Sequence, residues 1–227
     1  KVWTSYALMA DWCVLAACTD PDAGPGGRIT LFLVPMDRPG LSVRPIPSML
    51  GPHHLNELFL DELRVTPGDV LGEVGGGWRA IRDALAFERV GIARYARCDA
   101  LLARVREALG DEWETLPAGL RARWVRAMVD VRVARLLAYA AVGAQEDGEP
   151  DDAIASLARI ATTQTDQSVA EVLLEAAGPD GLQGGREGFL HGAVEDHWRY
   201  AQAATVSSGT IEVQRMLVAR AALGGRR

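Results

Sequence analysis

Positive charge is what this sequence conspicuously lacks. Its 24 Lys and Arg stand against 30 Asp and Glu, a formal net charge of −6, and its pI is near 5.3. Nucleic-acid binders and proteins that dock on anionic membranes usually present a basic surface, so both partner classes are disfavoured. No stretch approaches ~18 uninterrupted apolar residues, so no membrane-spanning helix is expected. The three cysteines, Cys13, Cys18 and Cys98, are odd in number and lack C-x-x-C spacing. They point to no disulfide framework and to a reduced, cytoplasmic setting. The chain opens Lys1-Val2-Trp3 with neither an initiator Met nor a signal-peptide pattern, and is expected to begin inside a strand. Repeats and low-complexity segments are missing too.

Several motifs of catalysis are also missing. His53, His54, His191 and His197 show no H-E-x-x-H or comparable spacing, so no metal site is expected and surface or hydrogen-bonded core roles are favoured. The glycines of Gly72–Gly77 do not form G-x-x-x-x-G-K-[ST], and read instead as a flexible sheet-to-helix joint. Ser207-Ser208-Gly209 lacks the G-x-S-x-G context of a hydrolase nucleophile and reads as the cap of the last helix.

What remains is an ordinary soluble composition, 48% apolar and 24% charged over 227 residues, enough for one large domain or two modest ones. The chain changes character near Gly75-Gly76-Gly77. Before it, runs rich in β-branched and aromatic residues alternate with turn signals, predicting strands at Val2–Ser5, Trp12–Ala17, Ile29–Val34, Leu41–Ile46 and Glu57–Leu60. After it the period is helical. A first helix runs to about Leu109, and a second opens at Pro117 with Leu120, Trp124, Met128, Val131 and Leu137 on its apolar stripe. A third, capped by Asp151 or Asp152, reaches Ala177; a shorter one covers Gly188–Ala203 and a last one Thr210–Leu223. The fold class is α+β by content, a partial antiparallel β-domain at residues 1–74 followed by an antiparallel bundle of about five helices at 75–227.

One carboxylate stands out. On the first helix Ile81, Leu85, Glu88 and Ile92 step by four, three and four, which puts Glu88 on the apolar stripe, while Arg79, Arg82, Asp83, Arg89 and Arg94 fall on other sides. A carboxylate there is costly unless paired or protonated, and tends to a raised pKa suited to a general base. A packing Glu paired with a neighbouring Arg fits the same spacing.

An ordered series of segments spans nearly the whole chain. Lys1-Val2-Trp3-Thr4-Ser5 and Ala10-Asp11-Trp12 come first, then Thr19-Asp20-Pro21, Ile29–Val34, Pro39-Gly40 and Arg44-Pro45-Ile46. Asn56–Pro67, Leu71-Gly72-Glu73, Gly77-Trp78 and Phe87-Glu88-Arg89 follow, and Ser208-Gly209-Thr210-Ile211-Glu212-Val213-Gln214-Arg215 closes it. The series resembles the acyl-CoA dehydrogenase family. That resemblance implies FAD-dependent α,β-dehydrogenation of an acyl-CoA, on the end of a middle β-domain and a C-terminal helical bundle, with the family's N-terminal helical domain absent. Expected partners are the acyl-CoA, an electron acceptor such as electron-transfer flavoprotein, and a related chain in a homo- or hetero-tetramer.

The resemblance implies a flavin contact at Trp3, Thr4 and Ser5, although in isolation a Trp in a strand is far more commonly a sheet-core aromatic. It implies FAD contacts from Thr210 and Glu212, and a substrate site of Ser208, Gly209 and Arg89. Many family members carry their base where Ser208 stands; a minority carry it in the Glu of a Glu-Arg pair, here Glu88. Two departures accompany the match. The family's Arg-x-x-Phe-Gly segment, which holds a neighbour's ADP, reads Asp111–Pro117, and its Gln before a glycine turn reads Glu175. Acidic groups there would repel a pyrophosphate, so a heteromer with a related chain is expected. A non-catalytic scaffold subunit, or a dehydrogenase of carrier-protein-bound acyl groups, is the alternative.

Overall fold

The computed structural model describes every residue except 25, 52–53, 89–91, 149–150 and 225–227, and the backbone alone of 86–88 and 92. The chain forms two compact units, Lys1–Leu85 and Ala86–Arg227.

The first unit is built on five strands: β1 (Thr4–Ser5), β2 (Trp12–Cys18), β3 (Ile29–Pro35), β4 (Leu41–Ile46) and β5 (Leu55–Leu60). They make a three-stranded antiparallel sheet in the order β1-β5-β4 and an antiparallel β2-β3 hairpin that pairs Trp12 with Pro35 and Cys18 with Ile29. The hairpin turns where Asp20 Oδ1 accepts the backbone N–H groups of Asp22 and Ala23, a local bond that competes with continued strand. The expected strand at Val2–Ser5 is shortened to Thr4–Ser5. Trp3 has φ 61°, in the left-handed region that no strand residue adopts.

The glycine joint is tied down, not flexible. Gly75 has φ +78° and donates its N–H to Thr30 Oγ1 at 2.9 Å, and a Cβ at Gly77 would lie 2.7 Å from the Ile29 carbonyl oxygen. These glycines are required by close approach to β3. After β5, Arg38 donates two hydrogen bonds to Asp69 (2.6 and 2.8 Å), holding a one-turn 3-10 helix that Thr66 caps.

The helices are α1 (Gly77–Glu88), α2 (Ile92–Leu109), α3 (Ala118–Glu146), α4 (Asp152–Ala177), α5 (Ala193–Ala203) and α6 (Ile211–Ala222). In the second unit α4 is central, packed by α2, α3, α5 and α6, and so it buries residues on several sides, Ser156, Arg159, Thr163 and Asp166 among them. Asp151 caps it, accepting the Ala153 and Ile154 N–H groups. On α3 the buried stripe is Leu120, Trp124, Ala127, Val131, Ala134, Ala138 and Ala141, alternating steps of four and three. Met128, expected on that stripe, is 46% exposed. The alanines let α3 and α4 approach closely.

The expected helix over Gly188–Ala203 is also shorter. Leu190 and His191 have φ 49° and 58°, so a 3-10 turn at Phe189–Gly192 precedes α5. A right-handed helix cannot run through left-handed residues.

Candidate functional site

The first group of expected site residues lies on β1. Thr4 pairs with Asn56 and Ser5 with Leu55, and Asn56 Nδ2 donates to the Thr4 carbonyl at 3.1 Å. Trp3 is 63% exposed, so it is not a sheet-core aromatic; Ser5 is exposed as well. Val2, Tyr6, Met9 and Trp12 expose further apolar surface in this segment and the next. The Thr4 hydroxyl oxygen is buried and makes no hydrogen bond among the described residues. An exposed aromatic, an exposed serine two residues on and an apolar surround are features that suit a flat heteroaromatic ring.

The second group lies on the turn between α5 and α6. Arg159, 3% exposed on α4, donates to the Ala204 carbonyl (2.9 Å), the Ser207 carbonyl and the Ser207 hydroxyl (3.1 Å). Arg94 on α2 donates to the same hydroxyl at 3.0 Å. Two cationic forks therefore hold one turn from beneath, where charge-assisted bonds are strongest. Ser208 follows at φ 54° and Gly209 at φ +88°. A Cβ at Gly209 would lie 2.6 Å from Gln214 Nε2, which donates to the Ser208 carbonyl at 3.3 Å from a wholly buried side chain. The cap of α6 is Thr210, not the serines: its Oγ1 accepts the Val213 N–H. Glu212 in the first turn has a lowered pKa, held chiefly by its own backbone N–H, then by the Thr210 hydroxyl and Arg215.

Beneath that turn is a cluster that spacing did not reveal. Arg94 donates to Asp166 Oδ2 at 2.9 Å, with side chains 12% and 0% exposed. Cys98 Sγ donates to Asp166 Oδ1 at 3.4 Å, and His197 Nε2 lies 3.6 Å from that oxygen. Burial pushes the Cys98 thiol pKa far up and holds His197 down at about 4. Arg97 bonds to Asp196 at 2.7 Å, and Arg94 and Arg97 both lie over the Tyr200 ring. Arg94 is therefore not on an outer side of its helix, and His197 is not a histidine without neighbours. Arg94, Cys98 and Leu101 repeat at steps of four and three, the spacing of one buried helix face, on which an arginine is unusual.

Residues 75–223 match the family described as "Acyl-CoA dehydrogenase, C-terminal domain". The chain belongs to this family. It is 29% identical over 234 residues to "Acyl-CoA dehydrogenase IpdE1" of Mycolicibacterium smegmatis, covering 99% of this chain and 56% of that protein. Among solved structures it is similar to the "Tcur3481-Tcur3483 steroid ACAD" (TM-score 0.91, 29% identity, 100% of this chain and 60% of that one). It is also similar to a chain of the ChsE4-ChsE5 complex from Mycobacterium tuberculosis (TM-score 0.82, 28% identity, 99% and 60%). The chain thus spans a little over half the length of these relatives.

In this acyl-CoA dehydrogenase bundle, Glu88 closes α1, but its side chain and all of Arg89 lie outside the described residues. The positions that in the family hold a neighbour's ADP are a 3-10 turn at Gly110–Thr115 and the end of α4. Their carboxylates are engaged: Arg121 bonds Glu114 at 2.9 Å and Arg123 bonds Glu175. Trp113 packs edge-on against Trp124, with the Arg106 guanidinium over its ring. The expected repulsion of a pyrophosphate is softened by these arginines, and what departs from the family at these positions is the missing motif rather than the charge.

Proposed function

We propose that this chain supplies the flavin-facing strand, the catalytic base and the thioester loop of an FAD-dependent acyl-CoA dehydrogenase, acting as one of two unlike but related subunits. The observation that carries this reading is the α5–α6 turn, fixed from beneath by Arg94 and Arg159 while Gly209 stays exposed at its outer edge. A turn so held suits orientation of a reacting group. We assign residues 1–74 to the end of the β-domain and 75–227 to the bundle.

In this reading the Glu88 carboxylate takes the α-proton of the acyl thioester. The helical spacing of Ile81, Leu85, Glu88 and Ile92 in the sequence supports the assignment. The Ser208 backbone N–H donates to the thioester oxygen as negative charge develops there, and Gly209 and Arg89 border the acyl-CoA. Trp3, Thr4 and Ser5 would hold the flavin ring, with the Ser5 hydroxyl as a donor to it, and Thr210 and Glu212 would contact FAD as well. FAD, when bound, supplies the hydride acceptor. An electron-transfer flavoprotein would be the acceptor of the electrons. The likeness to a steroid ACAD favours a steroid-derived acyl group, and the likeness to a chain of the ChsE4-ChsE5 complex favours assembly with an unlike partner.

The base is tested by Glu88→Gln in the assembled enzyme. Folding and flavin content should persist while turnover falls by ~10²–10⁴-fold; near-normal turnover would remove Glu88 from the role. Assembly is tested by flavin stoichiometry. Co-expression with the partner should give about one FAD per pair of unlike chains, by linkage between assembly and cofactor binding. Full occupancy and activity in an assembly of identical copies would overturn the heteromer.

A further inference from the structure

The core beneath the α5–α6 turn carries a group of ligands that the dehydrogenation reaction does not use. Cys98 on α2, Asp166 on α4 and His197 on α5 are wholly buried, and their sulfur, oxygen and nitrogen atoms lie within 4.8 Å of one another. We infer that Cys98, Asp166 and His197 form a structural transition-metal site, of zinc(II) character, that fastens α2, α4 and α5 together.

Geometry comes first. A tetrahedral ion with bonds of about 2.0–2.3 Å places neighbouring ligand atoms roughly 3.3–3.7 Å apart. Two of the three sides already have such lengths, 3.4 Å from Cys98 Sγ to Asp166 Oδ1 and 3.6 Å from His197 Nε2 to the same oxygen. The third side, at 4.8 Å or less, needs to close by about 1 Å at most to match.

The second observation concerns His197. Neither of its ring nitrogens makes a hydrogen bond among the described residues, although the side chain is wholly buried. Native buried polar atoms are nearly always partnered, and an ion is one recognised explanation of an exception. A thiol-to-carboxylate bond accounts for Cys98 but leaves His197 unexplained; a metal at the centre of the three takes up Nε2 as well. The other carboxylate oxygen, Oδ2, is held by Arg94, an outer contact that orients a one-oxygen ligand.

The donor set selects the ion. A thiolate, an imidazole and a carboxylate together suit zinc rather than magnesium or calcium, which prefer oxygen alone. Binding displaces the Cys98 thiol proton to solvent as the metal–sulfur bond forms. The thiolate and Asp166 supply two negative charges against the two of the ion, and with Arg94 still bonded to Oδ2 the cluster carries a net +1.

The experiment uses the assembled protein and needs no substrate. After dialysis against a weak chelator, elemental analysis should find about one zinc per copy of this chain. Cobalt(II) added to zinc-depleted protein should produce the red-region absorption of a cobalt–thiolate site with three protein ligands and water in the fourth position, where oxidised flavin does not absorb. Cys98→Ser and His197→Gln should each reduce zinc to background, while Asp196→Asn, an exposed neighbour, should retain it. Wild-type protein with background zinc and no cobalt absorption would overturn the site, whether or not the variants fold. Zinc retained by both ligand variants would overturn it equally, as adventitious surface binding.

Discussion

The two units of this chain treat their chemistry-bearing residues in opposite ways. In the first, the aromatic segment Trp3–Trp12 is left open: Trp3, Tyr6, Met9 and Trp12 are all more than half exposed, and among the described residues Ala7, Cys13 and Leu58 form a small core beside it, with Met36 and Val43 packed against them. In the second, charged and polar groups are buried to hold a turn. Arg94, Asp166 and Arg159 lie under Ser207, and Gln214 braces Ser208. Burying an unpaired charge is costly, whereas exposing an aromatic costs little unless something is meant to cover it. The contrast teaches that the turn is organised by the chain itself, whereas the aromatics flanking β1 are left open, as the proposed flavin contact requires.

The sharpest break in the contrast is at Asp166. Asp166→Ala leaves the Arg94 guanidinium without its carboxylate in the bundle core, and loss of one partner from a buried pair commonly costs ~3–5 kcal/mol. Denaturant unfolding should show that loss; a change typical of a surface pair would mean that the bundle tolerates the free cation. Next in size is Arg159→Met, which keeps the bulk of the side chain but removes its donors to Ala204 and Ser207. A loss of ~1–3 kcal/mol follows for acceptors left unsatisfied. The same variant should loosen the turn, seen as faster amide hydrogen exchange at 205–210 with the remainder of the bundle unchanged.

Much of this was legible in the sequence. Runs of β-branched and aromatic residues between turn signals set out the five strands before the glycines, and a period of three to four set out the long helices after them. The ends were harder. Trp3, Leu190 and His191 adopt left-handed backbone without being glycine or asparagine, so no composition rule marks them. Within the candidate site, Thr210 and Ser208 could be placed by motif order. Arg94, Cys98, Asp166, Arg159 and His197 could not, since their importance comes from meeting across three helices. A buried arginine reads in sequence as a solvated one until its acceptor is known. Glu175 and Glu114 erred the other way: each looked like an unpaired acid, and each has an arginine partner on α3, which is supplied by helical register.

The smallest expected effect on stability, and the one that tests the open side of the contrast, is at Trp3. Its ring is 63% exposed and its backbone lies in the left-handed region at the head of β1. Truncation removes little buried area, so Trp3→Ala should change unfolding free energy by no more than ~0.5 kcal/mol, the ordinary range for surface substitutions. If the exposed aromatic segment is the flavin's support, the same variant should cost the assembled protein much of its FAD, because lost ring contact is paid in binding and not in folding. The two measurements separate the possibilities. Unchanged stability with reduced flavin content supports a surface built for a ligand. A clear stability loss with flavin content intact would show that Trp3 is a structural residue, and would move the flavin contact elsewhere on this unit.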